Sequence, residues 1–593
     1  MPNALICVSV CPVFAVLAGG RFVGTLGAAS TCLSLWALAQ SAAAVRQPHS
    51  SQRIRAQSTA AARRLLSLLT YYCFTNLVGL FVELKMLLTL SIKAVVNFLL
   101  RLPPTISFVG LVIAVTPLLS LPSLTGTGYH DGQRILLITR LLSGVLITSA
   151  RIWRAKLTSS TSLIVLPVSK LVLLLLAVFM GLGFVSSIRA HSVQFALYEW
   201  ATFALMLVLA SAIAVEFSEK RLATIRIFAV LGTVSCGLYV FNTLTAYVAS
   251  VRLGIQLPPN QLIIGFDNYR FLNHIQTITL PLLALLTLRA DSTESSAFRY
   301  RHGLKILLVL WWMLLFATGG RGTFISLLVA CLVALVFFRQ HAIAWCRHMT
   351  VGAVAGFFAT LLLYKYIPLH FGLQPFGLLG NLAARTIENV DGGRLPLWRL
   401  AFGMTIEHPW MGFGPLHFAH EGRFQQIAAH PHNWALQISS EWGIPALLCC
   451  CGLIFCGLQR LITTAKSPNE SRCDESIVWV ALLTTGVAIV IDGLVSGLIV
   501  MPVSQLWIVL YLSFAWGWTE VLKKPTHVNP NRLGGLICGI STATLFLLST
   551  MAVYGLWPAV LDLPKHEKNN QQYQTSQTDG HLSPRIWRHG FFE

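Results

Sequence analysis

The stretch Ala429-His430-Pro431-His432-Asn433-Trp434 joins a polar loop to an apolar run. Asn433 is a good N-cap for a helix that begins there. If it caps, His432 lies against a helix N-terminus, whose positive end favours the neutral imidazole. A neutral histidine near pH 7 can take a proton from a hydroxyl, the task of a general base. The same helix end favours an anionic ligand beside it. His417, His420, His430 and His432 share the loop, so zinc has to be weighed. The spacing HExxH is missing and no acidic residue lies near His430-Pro431-His432, so no metal is expected. The loop also lacks GxSxG, which argues against a serine hydrolase.

A set of arginines could hold the anion. Arg321 sits in Thr318-Gly-Gly-Arg321-Gly-Thr323, a turn between two apolar runs with almost no linker. It reads either as a snorkelling residue or as an anion clamp, since guanidinium forks match phosphate oxygens. Arg270 opens another run, with Asp267 near enough to neutralise it. Asn273, His274 and Gln276 follow at depths where polar groups are expensive, which fits a structural network or ligand contact equally well. Arg394 lies in Asp391-Gly-Gly-Arg394-Leu-Pro-Leu-Trp398-Arg399, with Arg189 and Arg385 as further candidates. The spacing from Leu395 to Thr405 predicts a short amphipathic helix on the membrane surface, ending before Pro409. Gly412 and Gly414 then allow a tight turn.

The elements that carry these residues are set by composition. Of 593 residues 55% are hydrophobic and 11% charged, and mean hydropathy is +0.68, a balance that calls for lipid as solvent. Apolar runs recur near 65–84, 86–100, 105–121, 135–150, 160–186, 194–215, 226–248, 272–288, 304–318, 322–338, 350–367, 434–459, 476–498, 503–519 and 533–557. Residues 4–44 add one or two more, and without a charged segment before it Met1–Gly20 reads as an uncleaved span. The fold class expected is all-α: a polytopic membrane helix bundle with one long periplasmic loop carrying short helices. Its divisions are N-terminal membrane helices with a basic cytoplasmic loop over 1–104 and a transmembrane core over 105–367. A periplasmic catalytic loop at 368–433, C-terminal transmembrane helices at 434–557 and a periplasmic tail at 558–593 complete it. A loop as long as 368–433 is usually functional.

The net charge of +21 divides once topology is drawn. Basic clusters such as Arg53 to Arg64, Arg151 to Lys156, Arg299 to Lys305 and Lys523-Lys524 all fall on one side, read as the cytoplasm. Nucleic acid therefore loses its support as a partner. The arginines on the other side are the informative ones. The 13 cysteines lie mostly within apolar runs without zinc spacing, and they suggest neither a disulfide framework nor a metal site.

Taken together, the motifs resemble the O-antigen ligase family, in the superfamily it shares with O-antigen polymerases and bacterial protein O-oligosaccharyltransferases. The resemblance rests on Gly319-Gly-Arg321-Gly-Thr323, Gly393-Arg394-Leu-Pro-Leu-Trp398, Gly412-Phe-Gly414-Pro415 and His430-Pro-His432-Asn433 followed by Glu441-Trp-Gly443. It is best over about 225–460, with weaker echoes at Tyr129 to Arg134, Ser496 to Pro502 and Ser583 to Trp587. It implies a metal-independent, cofactor-free glycan transfer from undecaprenyl diphosphate to a lipid A–core hydroxyl, at the periplasmic face of the bacterial inner membrane. It maps the essential histidine onto His432 and the phosphate-binding arginines onto Arg270 and Arg321, with Arg394 a further candidate. Asn433, Arg189, Arg385 and His430 complete the candidate substrate contacts. A growing carrier-linked glycan or a protein acceptor remains open within the superfamily. The rival from another class is a lipid-linked glycan flippase, which would carry clustered intramembrane charge and an internal repeat. Lys93, Arg140, Lys170, Glu199 and Asp492 instead occur singly.

Overall fold

The computed structural model describes residues 168–219, 221–256, 269–291, 298–377, 393–422, 430–466, 473–520 and 543–557, with isolated positions at 138–145, 164–165, 263 and 526–527. The expected helices before residue 105, Arg385 and its stretch of loop, and the C-terminal tail fall outside these residues. Apart from a two-residue antiparallel pair, Ile164–Val165 with Thr526–His527, the described chain is helical. In order the helices are α1 (Lys170–Arg189), α2 (Val193–Glu219), α3 (Arg221–Leu253), α4 (Arg270–Asp291), α5 (Phe298–Thr318) and α6 (Arg321–Phe338). Then come α7 (Gln340–Thr360), extended by a π turn and a last helical turn to His370, and the short α8 (Leu395–Glu407) and α9 (His417–Glu421). The described helices end with α10 (Trp434–Trp442), α11 (Ile444–Ala465), α12 (Cys473–Gly493), α13 (Pro502–Glu520) and α14 (Ala543–Trp557). Eight described helical segments are long and apolar enough to cross a membrane, so this is a multi-pass membrane protein.

α4 is the hub. Its apolar stretch is 94% buried, against 17% for α1 and 11% for α11, whose outer sides are the surfaces left for lipid. Helix association in lipid draws on close packing and hydrogen bonds more than on apolar burial. α7 meets α5 through Gly352 and Gly356, where an added Cβ would stand 2.9 Å from the Met313 backbone nitrogen at the second position. Two polar residues of α4, Asn273 and Gln276, hydrogen-bond through their amides inside the bundle. Asn273 Nδ2 donates to Thr318 Oγ1 (2.7 Å) and Gln276 Oε1 (2.9 Å), and Gln276 Nε2 donates to the Trp311 carbonyl (2.7 Å). Thr279 Oγ1 accepts from the Trp311 indole at 2.9 Å.

Two apolar runs fold differently from their hydropathy. The run 350–367 begins ten residues earlier, at Gln340, because Ala342, Trp345 and Met349 bury one side while His341 and Arg347 stay exposed on the other. The run 434–459 is two helices broken at Gly443. There the loop Pro409 to Gly414 binds along the end of α10: Ile444 N–H donates to Pro409 O (2.8 Å), Phe413 N–H to Ser440 O (2.9 Å) and Gly414 N–H to Glu441 O (2.9 Å). Gly443 has φ +91°, and a Cβ on it would stand 2.2 Å from the Trp410 carbonyl oxygen. Gly443→Ala is therefore expected to destabilise by about 1–3 kcal/mol or more. Thermal unfolding in detergent checks this, with Gly237→Ala, which meets nothing within 4 Å, as control. Equal melting temperatures would contradict this packing.

α8 has one buried and one exposed apolar face. Leu397, Ala401 and Met404 bury against Phe418, while Leu395, Phe402 and Ile406 remain exposed on the opposite side. The helix ends at Glu407, before Pro409.

Candidate functional site

The N-termini of α4 and α6 and the C-terminus of α12 meet at one end of the bundle. Thr277 Oγ1 of α4 lies 2.8 Å from Thr323 Oγ1 of α6, and it donates to Asp492 Oδ2 of α12 at 3.2 Å. Ser496 Oγ donates to the same carboxylate oxygen at 3.1 Å. Gly320 and Gly322 flank Arg321 and make the approach close: a Cβ at Gly320 would stand 2.7 Å from Asn273 Cγ, and one at Gly322 2.6 Å from Asp492 Oδ1. The turn holding Arg321 is thus pinned between α4 and α12. Asp492 is 1% exposed, and this threonine–serine network answers for its depth.

The histidine turn sits on the loop that follows α12. Trp434 Nε1 donates to the Val490 carbonyl at 3.1 Å, and His430 packs so tightly on Gly497 that a Cβ there would stand 2.4 Å from its Cε1. His430 is 3% exposed, and its Nδ1 accepts the His432 backbone N–H at 3.2 Å. Because Nδ1 accepts, the ring proton of His430 is assigned to Nε2. His432 has φ +53°, a left-handed conformation that a non-glycine residue holds only when its surroundings impose it. The two rings lie 4.0 Å apart. Asn433 caps α10, its Oδ1 accepting from Ala435 N–H (2.9 Å) and Leu436 N–H (3.0 Å).

Arg394 is brought in by α8. Trp398 Nε1 donates to the Pro431 carbonyl at 3.0 Å, which ties α8 to the histidine turn. Arg394 lies one helical turn before Trp398 and so shares its face. Arg270 and His274 are one turn apart at the start of α4 and share a face in the same way. Arg394 and Arg270 act electrostatically on His432. Its imidazole pKa is pushed down to about 3, first by burial, then by Arg394, then by Arg270. The ring is consequently neutral across the physiological range. Its accessible surface is only partly covered, so the neutral base is not sealed off.

Of the residues singled out in the sequence, Arg270, Arg394, His430, His432 and Asn433 converge, and Arg321 reaches the same end through its turn. Arg189 lies in the last turn of α1. It is exposed at the end of α1, beside a second histidine group in which His191 stacks on His420 at 4.8 Å and His417 Nε2 accepts Ser192 N–H at 2.9 Å. Arg385 lies outside the described residues. Among the described residues no group of three His, Cys, Asp or Glu side chains is placed to hold a metal ion. Trp398 and Ser496 stand in motifs that carry the resemblance, but their hydrogen bonds to the histidine turn and to Asp492 need the three-dimensional register to be seen.

A family model described as O-antigen ligase matches residues 306–451. No curated protein and no solved structure matches the chain. The family includes O-antigen ligases and polymerases, glycosyltransferases whose substrates are lipid-linked glycans. Arg321, Arg394, His430, His432 and Asn433 fall inside the matched segment, whereas Arg270, His274 and Asp492 contribute from outside it. A neutral histidine among arginines thus lies on a segment with an independent family match: residues 306–451 match the O-antigen ligase family model, within a multi-pass membrane protein.

Proposed function

We propose that the protein transfers a glycan from undecaprenyl diphosphate to a hydroxyl of lipid A–core at the periplasmic face of the bacterial inner membrane. The observation that carries the reading is His432, kept neutral by burial and by Arg394 and Arg270. Its imidazole takes the acceptor hydroxyl proton as the oxygen attacks the anomeric carbon. The bond from that carbon to the diphosphate oxygen breaks, and its electron pair leaves with the undecaprenyl diphosphate. Arg270, Arg321 and Arg394 stabilise the charge that gathers there. The Nδ2 amide of Asn433, whose oxygen is engaged in the helix cap, is a further donor to substrate. His430 shapes the turn that presents His432. Direct displacement inverts the anomeric configuration. The phosphate ester already carries the energy of the reaction, so neither nucleotide nor metal enters.

The acceptor is tested by offering the purified protein one glycan-loaded donor with lipid A–core, a carrier-linked glycan or a serine-containing peptide, each with and without chelator. Extension of lipid A–core, unchanged by chelator, is expected. Extension of the carrier-linked glycan or the peptide instead would reassign the acceptor, and loss of transfer on chelation would overturn the metal-free mechanism.

A further inference from the structure

His274 is a buried polar group that the mechanism leaves unused. It is 5% exposed, and its Nδ1 is sealed from solvent with no hydrogen-bond partner. A buried donor or acceptor left unpaired costs about 1–3 kcal/mol. The neighbouring polar residues of α4 do not share this condition at their amide nitrogens. Asn273 and Gln276 each donate to partners within 2.9 Å. Phe271 supplies only a ring contact to His274, at 5.9 Å between centroids. The face of α4 that His274 occupies is shared with Arg270, one turn earlier. His432, Arg270 and Arg394 are its electrostatic neighbours, in that order of influence. The unmatched imidazole therefore stands where the proposed base and the proposed diphosphate clamp meet.

We propose that His274 is a further donor-binding residue, whose imidazole N–H hydrogen-bonds an oxygen of the lipid diphosphate beside Arg270. The inference rests on the transferase reading above. A phosphate oxygen supplies the acceptor that the ring lacks, and a hydrogen bond to a charged oxygen is among the stronger ones. An apolar ring of similar size would pack better in the empty protein but could not make this contact.

The test is equilibrium binding of undecaprenyl diphosphate to the purified full-length protein in detergent micelles. Wild type is compared with His274→Phe, His274→Asn and His274→Gln. Phenylalanine keeps the ring volume, while asparagine and glutamine place an amide N–H near the Nδ1 and Nε2 positions respectively. The expectation is that His274→Phe weakens binding about tenfold or more, and that at least one amide variant stays within about threefold of wild type. Binding by His274→Phe equal to wild type overturns the proposal, and so does equal weakness of all three variants. Absence of binding by wild type would instead strike the transferase reading itself. Thermal unfolding of each variant separates folding loss from lost contact, and His274→Gln carries the test if His274→Phe does not fold.

Discussion

Purified His432→Ala should bind undecaprenyl diphosphate as wild type does and yet transfer glycan at least 10²-fold more slowly, with about 10⁴-fold the upper end for a lost general base. The two halves of this result separate because different groups carry them. Donor affinity is assigned to guanidiniums on α4, α6 and α8. Proton removal is assigned to one ring, which burial, Arg394 and Arg270 keep neutral. His432→Gln should resemble alanine, since an amide can occupy the space and hydrogen-bond the hydroxyl but cannot accept its proton. Comparing donor binding with single-turnover transfer decides the matter. Wild-type transfer by the alanine variant would remove His432 from the chemistry.

Arg394→Gln should produce two effects from one substitution. Loss of a guanidinium fork on a phosphate should weaken donor binding by about 10- to 100-fold. The same change should raise the pKa of His432 from about 3 toward its ordinary value of about 6.5, because a positive neighbour that opposes protonation is gone. The direction follows from charge: neutral imidazole is the active form, so a higher pKa moves the acid limb of kcat/KM to higher pH. Burial and Arg270 remain, so the shift stops short of the free value. Histidine-selective NMR titration of the empty protein reads the pKa directly. An unmoved pKa together with full donor affinity would show that Arg394 faces elsewhere. Arg394→Lys keeps the charge but loses the fork, so it should retain the low pKa while binding donor weakly.

The sequence told most where chemistry is tied to residue type. Fifty-five per cent hydrophobic content required lipid, and the helical bundle follows from the need to satisfy every backbone group there. Asn433 was readable as a cap because capping is local, and the structure has both of its expected backbone partners. α8 was readable from the spacing of Leu397, Ala401 and Met404. What could not be read is convergence. Arg394 and His432 are 38 positions apart, and they meet through a Trp398 hydrogen bond to a carbonyl whose place depends on the turn around it. The left-handed backbone at His432 carries only a weak residue signature, since histidine is enriched at such positions but far from confined to them. Hydropathy merged α10 with α11 because apolar residues lie on both sides of Gly443; only the crossing of Trp410 reveals the break. Asp492 looked like an isolated intramembrane charge for the same reason. Its partner Thr277 lies 215 positions away on α4, and Ser496, four positions on, reaches it from the chain that follows α12.

The most direct measurement of the central claim is the linkage made by the purified protein in lipid nanodiscs. It would receive a donor of defined anomeric configuration and lipid A–core, with chelator present and nucleotide absent. The account predicts a covalent glycan–lipid A–core product of inverted configuration, with one undecaprenyl diphosphate released per bond formed. Retained configuration would contradict direct displacement. Movement of the donor across the bilayer with no new glycosidic bond would contradict the transferase itself.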